Sequence, residues 1–417
     1  MEKYVIKGGQ KLSGTISVAG AKNEALKILP AAILSEETTI IKNVPDIEDI
    51  KRLVEILENI GAKVTREGST LTIESKSINR FSPDPKLSER LRSSIMVAGP
   101  LLARFGEVTM AHPGGCVIGK RPIDMFLSGF KSLGAKIFEH ENFYTLKANK
   151  LKGAKIVLPW ISVTVTESMM MTACLAEGTT TIINAAMEPE ITALAEHLNN
   201  CGAKITGAGT PIITIEGVEK ISGGTCELIP DRIEAGTFVV MGLITGSEVT
   251  ITNCNPHHLE NELFTLQKAG AELEIGSNWI KTKKGIFHGI ELRTHEYPGF
   301  ATDLQAPFTV LMTQAHGQSL IHETIYEGRL FYTDKLSNMG ANIIMCDPHR
   351  VIVHGPTQLI GKKLESPDLR AGMALVLAGL IAEGTTTVEN IYQIERGYEN
   401  IITRLQSLGA NISKVNE

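Results

Sequence analysis

The feature that most constrains the fold is a sixfold internal repeat. A Gly-Ala dipeptide followed by a polar and an aliphatic residue recurs at Gly61-Ala62-Lys63-Val64, Gly134-Ala135-Lys136-Ile137, Gly202-Ala203-Lys204-Ile205, Gly270-Ala271-Glu272-Leu273, Gly340-Ala341-Asn342-Ile343 and Gly409-Ala410-Asn411-Ile412. Successive glycines in that series stand 73, 68, 68, 70 and 69 positions apart. So even a period marks a chain assembled from one supersecondary unit used six times. Ahead of the first dipeptide, Ile50, Leu53, Val54, Leu57 and Ile60 keep helical spacing. The glycine then supplies the left-handed residue that ends a helix, and an aliphatic strand follows. A second helix opens each unit and runs into a turn such as Ala176-Glu177-Gly178-Thr179-Thr180 or Ala382-Glu383-Gly384-Thr385-Thr386, then into a Thr/Ile/Val-rich strand.

A chain of 417 residues suits two domains, hence three units in each. Helices as apolar as Ala371 to Ile381 belong inside, with the sheets around them. A single doubly wound α/β sheet is the competing architecture, but it does not call for six even periods. The chain is 43% hydrophobic and only 5% aromatic, as expected for aliphatic packing, and its net charge of −5 gives no footing for nucleic acid or an anionic membrane. Residues Met1 to Val5 show no apolar run after their charges, and Met373 to Ala382 is too short to span a bilayer. The six cysteines (116, 174, 201, 226, 254 and 346) form no CxxC pair and no metal-ligand spacing, so free thiols in a reducing, cytoplasmic setting are expected.

Cations recur where the first helix of a unit begins. Lys22 follows Ala21, Arg92 follows Leu91, Arg232 follows Asp231, and Arg370 follows Asp368-Leu369. Asp231 and Asp368 suit N-caps, and Asp231 with Glu234 has the spacing of a capping box. A cation in a first turn opposes the helix dipole. Four of them make sense if those helix ends converge on a bound phosphate or carboxylate; solvated surface charge is the alternative for any one alone. The second unit carries a glycine-rich loop, Pro113-Gly114-Gly115-Cys116-Val117-Ile118-Gly119-Lys120-Arg121-Pro122-Ile123-Asp124. A thiol beside Lys120 and Arg121 sits in a positive field that lowers its pKa and makes it a usable acid or nucleophile. A lone cysteine in a Pro-Gly turn can equally be structural, and the loop lacks the spacing of a Walker phosphate loop.

These stretches resemble the UDP-N-acetylglucosamine 1-carboxyvinyltransferase family over the whole chain. The resemblance rests on Gly20-Ala21-Lys22-Asn23, Pro113-Gly114-Gly115-Cys116, Gly119-Lys120-Arg121-Pro122-Ile123-Asp124, the segment Pro230 to Thr237, Thr302-Asp303-Leu304-Gln305-Ala306 and Asp368-Leu369-Arg370-Ala371. It implies a two-domain inside-out α/β barrel, one domain being 22–229 with a mobile cysteine loop at 111–122, the other 1–21 plus 230–417, with the active site between them. It also implies that Lys22, Arg121 and Arg396 hold the phosphate and carboxylate of phosphoenolpyruvate, with Arg92, Arg329 and Arg370 lining the same cationic cleft. Asn23, Arg121, Pro122, Ile123, Asp124, Met125, Ser162, Val163, Asp303, Ile325 and Asp368 are implied substrate contacts, chiefly to the acceptor, UDP-N-acetylglucosamine. Cys116 is implied to act as general acid near C3 of the enol ether, and Asp303 to take a proton from the acceptor hydroxyl. No metal and no cofactor is implied, and a monomer is expected.

The sequence departs from the family pattern at the nucleotide end. Phe126 stands where the family usually has His, Trp160 where it has Lys, and Thr164 where it has Gly. Two readings follow: drift within the cell-wall activity, or a retuned acceptor such as UMP. A non-catalytic binding paralogue should have lost Cys116 or the cations, and all are present. The shikimate-pathway transferase shares the fold but uses no loop cysteine.

Overall fold

One helix in each repeat has no polar stripe wide enough to face water, so it is buried for most of its length. The computed structural model describes residues 2–112 and 122–416; Cys116, Lys120 and Arg121 lie outside the described residues. The six buried helices are α1 (Lys22–Ala31), α2 (Ala98–Phe105), α3 (Val163–Ala173), α4 (Arg232–Ile244), α5 (Gln305–Met312) and α6 (Leu369–Ile381). Short 3₁₀ segments, Arg92–Val97 and Thr302–Leu304, lead into α2 and α5. Helix α5 packs against both α4 and α6, and α2 packs against α3. The second helix of each repeat is amphipathic. In Glu48–Asn59, Ile50, Leu53, Ile56 and Leu57 turn inward, and the helix stops at Gly61, where φ is +106°. All six repeat glycines lie between +94° and +106°, where a side chain is strained.

The strands form five four-stranded sheets and one three-stranded sheet among the described residues. Five parallel pairs recur with the repeat: Thr225–Glu227 with Thr38–Lys42, Lys155–Val157 with Thr179–Ile183, Gly14–Ser17 with Val249–Thr252, Glu291–Arg293 with Gly317–His322, and Lys363–Glu365 with Thr385–Glu389. Among the described residues the other pairings between these strands are antiparallel, and one face of each sheet is buried against helices.

Two compact units result. One comprises residues 20–112 and 122–229, the other residues 2–19 and 230–416. Their apolar cores share no residue. The N-terminal segment joins the second unit because Glu2–Lys7 lies between Thr385–Glu389 and Asn411–Asn416, while Gly14–Ser17 completes the sheet of Val249–Thr252. Gly20 and Ala21 fall with the first unit, where the Ala21 amide donates to the Ile229 carbonyl at 2.7 Å.

A second period escaped the sequence analysis. Asn43, Asn184, Asn253 and Asn390 each follow a parallel-paired strand directly and adopt φ of +58°, +63°, +52° and +55°. Each Nδ2 donates to the carbonyl just past the neighbouring parallel strand: Leu228, Leu158, Val18 and Ser366, at 3.0, 3.0, 2.7 and 2.9 Å. Asparagine tolerates the left-handed region and carries its own donor, so it can turn the chain and clasp the strands at once.

Candidate active site

In the unit formed by residues 20–229, α1 begins at Lys22, whose Nζ lies 2.8 Å from Asp49 Oδ2, both groups buried. Asp49 belongs to the first turn of Glu48–Asn59. Asn23 follows on α1 and is half-buried. Arg92 opens the 3₁₀ segment before α2, also half-buried. Pro122 and Asp124 are exposed, Ile123 and Met125 half-buried, and Asp124 begins the helix Asp124–Ser132. Ser162 caps α3, its Oγ accepting from the Val165 amide at 3.5 Å, and Val163 is the first residue of that helix. The three departures from the family pattern separate here. Phe126 is 5% exposed and packs in the core of the unit, whereas Trp160 is 56% exposed and Thr164 half-buried.

Beneath this surface the same helices carry buried ionisable groups. Lys27 Nζ lies 3.3 Å from Glu167 Oε2, and Glu24 Oε2 accepts from the Ile229 amide at 2.8 Å. Burial pushes both carboxyls up to about 8; the Ile229 hydrogen bond opposes this at Glu24, and Lys27 opposes it at Glu167.

The other unit gathers the sequence-predicted residues more closely. Asp303, in the 3₁₀ turn before α5, is held by two arginines. Its Oδ1 accepts from Arg329 Nη2 at 2.8 Å, and its Oδ2 accepts from Arg370 Nε and Nη2, each at 2.9 Å. The Arg329 and Arg370 side chains are 4% and 5% exposed, while the Asp303 side chain is 27% exposed. Burial alone would raise the Asp303 carboxyl, but Arg370 and then Arg329 overcome it and hold the group well below the usual carboxylate range. Burial likewise disfavours charge on Arg370, and Asp303 outweighs it. Arg370 Nη1 donates to Tyr398 OH at 3.4 Å, and that hydroxyl lies 3.1 Å from Thr237 Oγ1. Within this trio two guanidiniums face one carboxylate, and Asp368 and Glu323 add further negative charge near Arg329.

Asp368 caps α6, its Oδ1 accepting from the Arg370 and Ala371 amides at 2.8 and 3.0 Å. Ile325 lies half-buried in the turn leading to Arg329. Arg396 donates to Gln393 Oε1 at 3.0 Å. Arg232 opens α4 with its guanidinium 5.5 Å from the Tyr297 ring centre. All four helix-start cations thus fall in first turns. The expected capping box does not close. Asp231 Oδ1 accepts from the Ile233 and Glu234 amides at 2.9 and 3.0 Å, but the Asp231 amide donates to the Ala19 carbonyl. The Glu234 carboxylate instead accepts from the Ala19 amide at 2.7 Å and pairs with Arg404 at 2.6 Å. Proximity of the chain at Ala19, invisible from local spacing, decides this.

Sequence reasoning gives no role to Asp49, Glu323 or Tyr398, which belong to none of the motifs above and acquire their partners only through tertiary packing. Thr302 stands in the stretch Thr302-Asp303-Leu304-Gln305-Ala306, but its tie to Glu323 and Arg329 is likewise tertiary.

A fold of two units with buried helices and sheets outside is that of the enolpyruvyl transferases. The enolpyruvyl transferase NikO from Streptomyces tendae superposes with a TM-score of 0.91 at 24% identity, covering 100% of this chain and 99% of that one. EPSP synthase from Acinetobacter baumannii superposes at 0.75 with 20% identity, each chain covered completely. The family model of EPSP synthase (3-phosphoshikimate 1-carboxyvinyltransferase) matches residues 6–405. The UDP-N-acetylglucosamine 1-carboxyvinyltransferase of Desulfosudis oleivorans is 43% identical over 416 residues, covering 100% of both chains. That of Photorhabdus laumondii is 45% identical over 421 residues, covering 100% of this chain and 99% of its own. The chain belongs to the UDP-N-acetylglucosamine 1-carboxyvinyltransferase family, within the wider EPSP synthase family. Among the described residues, no helix is long and apolar enough to cross a membrane.

Proposed function

We propose that this chain transfers the enolpyruvyl group of phosphoenolpyruvate to the 3-hydroxyl of UDP-N-acetylglucosamine with release of phosphate, the first committed step of peptidoglycan synthesis. The observation that carries the reading is end-to-end similarity, at 43–45% identity, to relatives named for that transfer. The Asp303–Arg329–Arg370 cluster supplies chemistry that fits it.

In this reading the acceptor oxygen bonds to C2 of phosphoenolpyruvate while C3 gains a proton, giving a tetrahedral ketal. The C2–O bond to phosphate then breaks and C3 returns a proton, restoring the vinyl group. Cys116 delivers the proton to C3, and Lys22, Arg121 and Arg396 hold the phosphate and carboxylate as charge builds on them. Asp303, kept anionic by two arginines, orients the acceptor hydroxyl by accepting its hydrogen bond. Its depressed pKa makes it a weak base while both arginines are engaged. Proton transfer to Asp303 is therefore favoured only as a guanidinium turns toward the developing phosphate charge. Asn23, Asp124, Ser162, Val163 and Ile325 line the acceptor. The reading includes a cytoplasmic, monomeric enzyme.

UMP as acceptor is not favoured. The chain stands at 43–45% identity to the UDP-N-acetylglucosamine transferases, and Phe126, one of the three departures, is buried packing rather than exposed surface. Phosphate release is the test, with phosphoenolpyruvate and either UDP-N-acetylglucosamine or UMP. Turnover with UMP alone overturns the acceptor, and no turnover with either overturns the reaction.

A further inference from the structure

The repeat exposes one residue that does something different from its counterparts. In four units the position directly after the parallel-paired strand is a left-handed asparagine that clasps the neighbouring strand. In the unit containing Gly317–His322 that position is Glu323, and its backbone is not left-handed. The clasp has moved on by one residue. Thr324 Oγ1 donates to the Thr294 carbonyl at 2.6 Å, and the Thr324 amide donates to Thr294 Oγ1 at 2.9 Å. The strands stay joined without the Glu323 side chain, which is left for another task.

Glu323 is completely buried. A buried carboxylate is costly unless it is fully hydrogen-bonded, and here it is. Oε1 accepts from the Ile325 and Tyr326 amides at 2.8 and 3.1 Å. Oε2 accepts from Thr302 Oγ1 at 2.8 Å, and that hydroxyl oxygen accepts from Arg329 Nη1 at 3.2 Å. The Glu323 backbone is pinned as well: its amide donates to the His349 carbonyl, and its carbonyl faces His349 Nδ1, both at 2.8 Å. One carboxylate therefore ties the Ile325–Arg329 turn to Thr302, the residue before Asp303. Arg329 closes the ring by pairing with Asp303.

We propose that Glu323 is a positioning residue for the acceptor: it sets the Ile325–Arg329 turn and the Thr302–Asp303 turn against each other, so that Asp303 and the Ile325 backbone receive the acceptor in fixed geometry. The inference rests on the acceptor reading of Asp303 and Ile325 given above. Glu323 itself touches no substrate and acts through Thr302, Arg329 and the two amides. The repeat itself does not call for a charge at this position, because asparagine stands there in four sister units.

The experiment compares the full-length wild type with Glu323→Gln and Glu323→Ala. Glutamine can still accept from the two amides but presents donors to Thr302, so it perturbs the Thr302–Arg329 link while keeping the turn; alanine loses both. The expected result is a KM for UDP-N-acetylglucosamine raised about tenfold in Glu323→Gln and further in Glu323→Ala, with the KM for phosphoenolpyruvate within about twofold of wild type. Amide hydrogen exchange across residues 325–329 should rise in Glu323→Ala whether or not the acceptor is correctly identified. An acceptor KM within about twofold of wild type in both variants, with exchange unchanged, overturns the proposal, as does a loss confined to kcat in proportion to lost folded protein. A wild type that fails to turn over UDP-N-acetylglucosamine, yet shows the exchange response, refutes the acceptor reading and with it the catalytic role, while the tie between the turns stands.

Discussion

Replacing Asp303 by asparagine removes the single negative charge that two buried guanidiniums share. Arg329 and Arg370 donate to it at 2.8–2.9 Å with side chains only 4% and 5% exposed, so neither can turn fully to water when it is lost. Breaking a buried ion pair from one side costs about 3–5 kcal/mol; water at the partly exposed carboxylate screens the pair, which puts the expectation near the lower end, about 3 kcal/mol. With a urea dependence of about 1–3 kcal/mol per molar, the midpoint should fall by about 1–3 M. The chain has two tryptophans, Trp160 in one unit and Trp279 in the other, so a Trp160→Phe background lets Trp279 fluorescence follow the affected unit alone. Added phosphate should recover part of the loss by taking the place of the carboxylate. Because the folded pKa of Asp303 is depressed, its contribution is present above the unfolded value of about 3.9 and is lost as pH falls toward the folded one. The gap between wild type and Asp303→Asn should therefore hold from pH 8 to 5 and begin to close below about pH 4. Equal urea midpoints at pH 7 refute the argument.

Glu24 and Glu167 carry the opposite sign. Their folded pKa values, pushed up to about 8, mean the native state holds protons that the unfolded chain releases near pH 4–5. Stability should decline as pH rises from 5 to 8, and Glu167→Gln should flatten that decline in urea titrations; an unchanged slope counts against it. Gly202→Ala should cost roughly 1–2 kcal/mol, because φ is +95° and the added methyl meets nothing. Gly61→Ala should cost more, since its methyl would also stand 2.8 Å from the Ser77 carbonyl oxygen; the order of the two melting temperatures checks this. Incubation with the epoxide fosfomycin should alkylate Cys116 and abolish activity, read by peptide mass and phosphate release. A fully active, unmodified protein after that incubation rules out the assigned reactivity of the thiol.

The repeat and its buried helices were legible because they follow from local rules. Glycine is demanded wherever a helix ends left-handed before a strand, and a helix without a polar face must be enclosed. Asp231 and Asp368 could be recognised as caps because a cap acts within three residues. The asparagine clasps were passed over although they recur at the same period, since Asn43, Asn184, Asn253 and Asn390 lie in dissimilar loops and reveal themselves only by φ and by the carbonyl they hold.

The cations show most clearly where local reading stops. Sequence alone placed Lys22, Arg92, Arg232 and Arg370 in first turns, because N-cap chemistry and helical spacing are short-range. Only tertiary structure decided the ion pairs at these helix starts: Asp49 for Lys22, Asp303 for Arg370, and, for the carboxylate Glu234, Arg404 rather than a capping-box amide. Those partners stand 27, 67 and 170 positions away. A charge interacts with whatever the fold brings within a few ångströms, whatever its distance along the chain.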